Sequence, residues 1–210
     1  MRFGRAGDSQ FTTRATNQLM IILGVDPGTL VTGYGVVEIR NGKALVLDFD
    51  VVKNRGSASM PIRLHKIYSA LCSVIEQYHP DEFAIETAFY GKNAQSALKI
   101  GHARGVSILA AINSEIPTAE YSPREVKKAV VGNGAASKEQ VQAMVKTLLG
   151  IRHSPKLFDV TDALAVALCH FQRRGKPRPN SVRKKSNGKA QNNAWKEFIK
   201  SHPERVIVRQ

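Results

Sequence analysis

Four carboxylates stand where apolar elements end. Asp26 closes the run Ile21-Ile22-Leu23-Gly24-Val25 and is followed by Pro27-Gly28. Glu86 closes Phe83-Ala84-Ile85, and Asp159 and Asp162 lie three residues apart in Phe158-Asp159-Val160-Thr161-Asp162-Ala163-Leu164. Singly, each has an ordinary explanation: an Asx turn at Asp26, a solvated strand end at Glu86, and a favourable helix dipole for the two aspartates. Together they form an all-oxygen donor set. Hard cations such as Mg²⁺ take one or two carboxylates each and complete their shell with water or phosphate oxygens. Four carboxylates therefore suit two ions about 3.5–4 Å apart, one activating an attacking water and the other stabilising the leaving oxygen of a phosphodiester. No Cys/His pattern of a zinc site is present. The pair Gly24 and Gly28 lacks the Lys-Ser/Thr that would make a phosphate-binding P-loop.

The elements that must position these acids follow from pattern. Met20–Val25 is continuously apolar, as a strand buried on both faces requires. Gly33–Ile39 and Ala44–Val52 are β-rich and joined by Asn41-Gly42, a strong hairpin turn, so the first three strands form an antiparallel meander. Leu64, Ile67, Tyr68, Leu71, Val74 and Ile75 follow the helical period within Pro61–Gln77. Glu82–Glu86 reads as a short buried strand. Asn93–Asn113 reads as a helix in which Ala97, Gly101 and Gly105 recur every four residues, a stripe that lets either the sheet or a second subunit approach closely. Thr118–Tyr121 is a further strand. Ser137 and Gln140 form a capping box ahead of the apolar face Val141, Met144, Val145, Leu148 and Leu149, which Gly150 terminates. A last helix runs from about Phe158 to Phe171 and places Asp159 and Asp162 on one face. The order β-β-β-α-β-α-β-α-α defines a mixed α/β sheet covered by helices rather than a doubly wound dinucleotide fold.

Charge divides the 210 residues unevenly. The net charge is +14, yet residues 20–171 carry 16 Lys+Arg against 14 acids, so this part is nearly balanced. Residues 172–210 hold 12 Lys+Arg against 2 acids, with the cluster Arg183-Lys184-Lys185. A basic tail of this kind favours a polyanionic partner through counterion release. Residues 1–19 are polar, carry no secretory h-region, and read as a disordered extension. Residues 20–172 read as the folded domain and 173–210 as a largely disordered basic tail. Met20 directly precedes the first strand and is a second candidate for the translation start. No apolar run approaches the roughly 20 residues of a membrane span. Cys72 and Cys169 lie in helical apolar patterns and read as buried thiols, which points to a reducing, cytoplasmic setting.

These segments, in order, resemble the RuvC family of Holliday-junction resolvases within the RNase H-like nucleases. The resemblance is carried by Ile22-Leu23-Gly24-Val25-Asp26-Pro27-Gly28-Thr29, Thr32-Gly33-Tyr34-Gly35-Val36 and Phe83-Ala84-Ile85-Glu86. It continues through Lys92-Asn93-Ala94-Gln95-Ser96-Ala97-Leu98-Lys99, Ala103-Arg104-Gly105-Val106, Lys127-Lys128-Ala129-Val130-Val131-Gly132 and Asp159-Val160-Thr161-Asp162-Ala163-Leu164-Ala165. It implies an RNase H-like mixed five-stranded sheet with helices on both faces. It also implies that Asp26, Glu86, Asp159 and Asp162 are the catalytic metal ligands, holding two Mg²⁺ for which Mn²⁺ can substitute. Some relatives have histidine at the position of Asp159; this chain has the four-acid version. Phe89 and Tyr90, just after Glu86, become candidates for stacking on a base at the junction centre. Lys127 and Lys138 match basic positions that contact DNA phosphates, which position a substrate without reading its sequence. The implied partners are four-way junction DNA, a second copy of the chain across a C₂ axis, since two symmetric nicks need two sites, and a branch-migration complex. Alternatives are a related nuclease of a mobile element or RNA-guided system, or a catalytically silent junction binder, which the presence of all four acids disfavours.

Overall fold

The structure, a computed structural model, describes residues 19–87, 94–151 and 158–174. The extension and tail expected at the two ends, apart from Leu19, Arg173 and Arg174, lie outside the described residues. Five strands form one sheet: β1 (Met20–Asp26), β2 (Val31–Arg40), β3 (Lys43–Lys53), β4 (Glu82–Glu86) and β5 (Thr118–Tyr121). Their spatial order is β3-β2-β1-β4-β5. β1–β2 and β2–β3 pair antiparallel, whereas β1–β4 and β4–β5 pair parallel. At the β2–β3 turn Asn41 and Gly42 both have positive φ, 54° and 76°, the backbone a two-residue I′ hairpin demands. β1 lies at the centre of the sheet, and its Ile22, Leu23 and Val25 are wholly buried, as its unbroken apolar run requires. The parallel register of β1 and β4 is pinned at the amino end of the ladder by Asp81. Its amide donates to Ile21 O at 2.8 Å and its carboxylate accepts from Ile21 N at 2.7 Å.

Helices cover both faces. On one face α1 (Met60–Tyr78) and α2 (Ala94–Asn113) enclose a core of Leu23, Val25, Val36, Ile67, Leu71, Phe83, Ile85 and Ala110. On the other, α3 (Pro123–Val131), α4 (Lys138–Leu149) and α5 (Phe158–Arg173) pack over Ile22, Val37, Ala84 and Ala119. The chain forms one helix more than the sequence order implies, and the additional one is α3. Its signals are present: Pro123 in the first turn and a capping box in which Ser122 accepts from Glu125 N and the Glu125 carboxylate accepts from Ser122 N. The nine-residue helix buries only Val126 and Val130, too short a period to register. The expected Ser137–Gln140 capping box and the Gly150 stop are both formed. The cysteine expectation holds only for Cys169; Cys72 is half-buried.

α5 is the element that matters for the site, and glycines decide where it lies. Gly24 on β1 and Gly35 on β2 face each other in the ladder, and Gly33 faces Asp26. A methyl group at Gly24 would overlap the carbonyl oxygen of Ala163 and come to 2.9 Å of the Ala167 Cβ. At Gly33 it would overlap the carbonyl of Asp159, and at Gly35 it would sit 2.8 Å from Leu164 Cγ. The backbone of α5 therefore rests directly on β1 and β2. At its other end the buried His170 bridges the Tyr121 hydroxyl, 2.8 Å from its Nδ1, and the Glu82 carboxylate, which also accepts from Arg174 Nε at 2.9 Å. These contacts tie the C-terminal turns of α5 to β4 and β5.

Candidate active site

The parallel pair β1 and β4 sends Asp26 and Glu86 out at the carboxyl end of the sheet, the end at which ligands bind in open α/β folds. α5 starts at the same end, because Gly33, the ladder partner of Asp26, gives room to the Asp159 backbone. The i, i+3 spacing then presents Asp159 and Asp162 on one face of the first turn. All four acids are half-buried. The turn after Asp26 is held firmly. The Thr32 hydroxyl donates to Gly28 O at 2.6 Å, and Asn54 Nδ2 donates to Thr29 O at 3.0 Å while its backbone amide donates to Leu30 O at 2.8 Å. Beyond Glu86, Thr87 N donates to Tyr121 O at 2.8 Å and extends the β4–β5 pairing. The Thr32 bond to Gly28 is local, within the motif segments around Asp26, whereas Asn54 reaches Thr29 across 25 residues and no local pattern marks it.

The electrostatics unite the expected residues. Burial first, then the charges of Asp162 and Asp159, push the Asp26 carboxyl up to about 7. Burial, then Asp26 and Asp162, push Glu86 up to about 8. Lys138 opposes both shifts, and Lys127 also opposes that of Glu86. Lys138 donates from Nζ to Asp162 Oδ2 at 2.9 Å, and this bond raises the lysine above its ordinary range. Thus Asp26, Glu86, Asp159, Asp162, Lys127 and Lys138 share one electrostatic neighbourhood. Phe89 and Tyr90 lie outside the described residues.

An all-carboxylate cluster in which burial and neighbouring acids raise the proton affinity of Asp26 and Glu86 fits a hard divalent cation by donor chemistry. The arrangement is open, however: among the described residues no three acid, imidazole or thiol groups converge tightly enough to hold one ion. Asp162 also faces a positive charge, the ammonium group of Lys138.

The two raised carboxyls predict a pH dependence. Between the ordinary carboxylate range and about 7–8, the folded chain holds protons that the unfolded chain has released. Stability from these groups is therefore present at low pH and lost as pH rises through that window. Metal-free protein is expected to melt at a lower temperature at pH 8.5 than at pH 5.5, with a smaller gap in Asp26→Asn and a gap narrowed by added Ca²⁺. Thermal melts in chelator across this range check it; identical profiles for wild type and variant would contradict it.

The strand order, mixed pairing and acids at the carboxyl end of β1 and β4 define an RNase H-like nuclease domain. The family described as "Crossover junction endodeoxyribonuclease RuvC" matches residues 22–170, and the chain belongs to that family. A relative from Cytophaga hutchinsonii bearing the same description is 45% identical over 186 residues, covering 89% of this chain and 88% of the relative. Another from Desulforamulus reducens is 50% identical over 153 residues, covering 73% and 94%. The solved structure of Thermus thermophilus RuvC in complex with Holliday junction substrate is 35% identical. It matches with a TM-score of 0.68 over 72% of this chain and 92% of that one.

Proposed function

We propose that this chain is a structure-specific endonuclease that resolves four-way DNA junctions by paired, symmetric, Mg²⁺-dependent nicks in recombination and repair. The observation that carries the reading is the gathering of Asp26, Glu86, Asp159 and Asp162 at one end of the sheet in a chain of this family. Asp26, Glu86, Asp159 and Asp162 would hold two Mg²⁺, which supply water activation and leaving-group stabilisation when bound. The chain's own residues do the rest. Asp26 and Glu86 sit on adjacent strand ends whose exits are hydrogen-bonded in place, so the backbone that carries them is fixed. Asp159 and Asp162 move only as α5 moves. Lys127 and Lys138 draw the phosphodiester toward the acids, and Phe89 and Tyr90 stack on unpaired bases beside Glu86.

The core is nearly neutral, so DNA capture by it rests on these placed lysines, with the basic tail adding sequence-independent affinity. Incubation with a mobile four-way junction, a linear duplex and an RNA–DNA hybrid tests the substrate class. Cleavage of the junction alone is expected; preferential cutting of the hybrid would favour the alternative nuclease reading.

Two nicks of matched symmetry require two sites, and α2 supplies a surface for a C₂ pair. Leu98, Leu109 and Ile112 are exposed, with Gly101 and Gly105 exposed between them. Among the described residues nothing lies within 4 Å of a methyl group added at either glycine, so these two positions do not pack on the chain's own sheet. A homodimer through this face would bury it and allow close helix approach. A branch-migration complex completes the partners that the family resemblance implies. Leu109→Glu is expected to shift the protein from dimer to monomer in sedimentation and to uncouple the two nicks; a dimer of unchanged strength would place the interface elsewhere.

A further inference from the structure

We propose that Lys138 is a built-in counter-cation of the acidic cluster, its ammonium group holding Asp162 until a divalent ion displaces it. The inference rests on the reading of the four acids as metal ligands, and it adds a competition to that site. Three observations carry it.

The first is geometry. Lys138 Nζ lies 2.9 Å from Asp162 Oδ2, and its charge also reaches Asp26 and Glu86. A single ammonium group thus partly neutralises a cluster that burial and mutual repulsion make unfavourable.

The second is position. Lys138 is the first residue of α4. A cation there meets the positive end of the helix dipole, which disfavours it; helix stability does not explain the residue, and the acids opposite do. Its backbone is fixed by the capping box at Ser137 on one side. On the other, the connection from α3 is held by Ala135 N donating to Asn133 Oδ1 at 2.9 Å and by the buried Ala136. The base of the side chain is rigid and the four-carbon stem is not.

The third is exposure. The Lys138 side chain is 62% exposed and that of Asp162 only 16%. The lysine can leave into solvent, or onto a phosphate, without unpacking anything, whereas Asp162 stays where α5 puts it. Lys138 Nζ and a divalent ion bound by Asp162 would compete for the same carboxylate oxygen, so each weakens the other's hold. Asp162 is thereby kept oriented before the ion arrives, and the lysine is freed when it does.

The test is Mn²⁺ binding to the DNA-free dialysed protein, read as free Mn²⁺ by electron paramagnetic resonance, for wild type, Lys138→Met and Lys127→Met. Methionine keeps the apolar stem and removes the charge. An exposed ion pair of this kind corresponds to a factor of about three to five, so Lys138→Met is expected to bind the first Mn²⁺ about three- to fivefold more tightly than wild type. Lys127→Met, which removes the same charge from the same neighbourhood, is expected to gain less. Unchanged or weaker Mn²⁺ binding by Lys138→Met, or equal gains in both variants, would overturn the competition while leaving the metal site intact. Absence of Mn²⁺ binding in all three proteins would instead overturn the reading of the four acids, and the competition with it.

Discussion

Replacing Asp26 with asparagine is expected to lower junction cleavage by more than about 100-fold while leaving junction binding and the fold intact. Changes to groups that merely support a metal ligand already cost about 10–100-fold, and Asp26 is read here as a ligand itself. Its position leaves little room for substitution: it terminates the central strand, opposite Gly33 and beside α5. Asparagine preserves shape and removes one negative charge from a cluster that already pushes Asp26 up to about 7. The metal-free variant should therefore melt at the same temperature as wild type at pH 8 or above it. That separates the loss of a ligand from the loss of a fold. Cleavage assays with a labelled junction, binding in Ca²⁺ and thermal melts decide it together. Intact cleavage by Asp26→Asn would remove Asp26 from the metal site, and lost binding with a lowered melting temperature would show a structural role.

Gly33→Ala is expected to be nearly as damaging to cleavage by a different route. An added methyl group would overlap the carbonyl oxygen of Asp159 and approach its Cβ to 3.2 Å. Both obstacles belong to the first turn of α5, so the collision is with backbone and cannot be relieved by a rotamer change. The first turn must lift from the sheet and carry Asp159 and Asp162 away from Asp26 and Glu86. Overpacking of this kind costs about 1–3 kcal/mol, and about 2–4 °C of melting temperature accompanies each kcal/mol in a domain of this size. Gly56→Ala, where no described residue lies within 4 Å of the added methyl, serves as the control and should change neither quantity. Wild-type cleavage by Gly33→Ala would mean that the approach of α5 to β2 does not set the spacing of the acids.

Much of this architecture was readable because each element announces itself locally. The unbroken apolar run of β1, the Asn41-Gly42 turn and the Ser137–Gln140 capping box are short-range signals, and each formed as expected. α3 shows the limit of such signals. Ser122, Pro123 and Glu125 mark its start as clearly as Ser137 and Gln140 mark that of α4, but two buried valines give it almost no apolar period. The small-residue stripe of α2 was ambiguous between sheet and partner, because periodicity reports a face and not what covers it; exposure of Gly101 and Gly105 removes the sheet. The acids were legible as strand and helix termini, yet nothing local relates Asp26 to Asp159. That relation is made by Gly24, Gly33 and Gly35, whose role in seating a helix appears only when the helix is in place. The Asn54 clamp and the Lys138–Asp162 pair are likewise long-range and silent in sequence. Phe89 and Tyr90 remain proposals carried by resemblance.

The central claim is that two such sites, each built from four acids, cut one junction symmetrically. Its most direct test is strand-resolved mapping of a mobile four-way junction, with each of the four strands labelled in turn, in the presence of Mg²⁺. The predicted result is nicks at equivalent positions on two opposing strands, absent in chelator and absent in Asp26→Asn. Binding of the junction without Mg²⁺-dependent cutting, or nicks scattered over all four strands without symmetry, would contradict it.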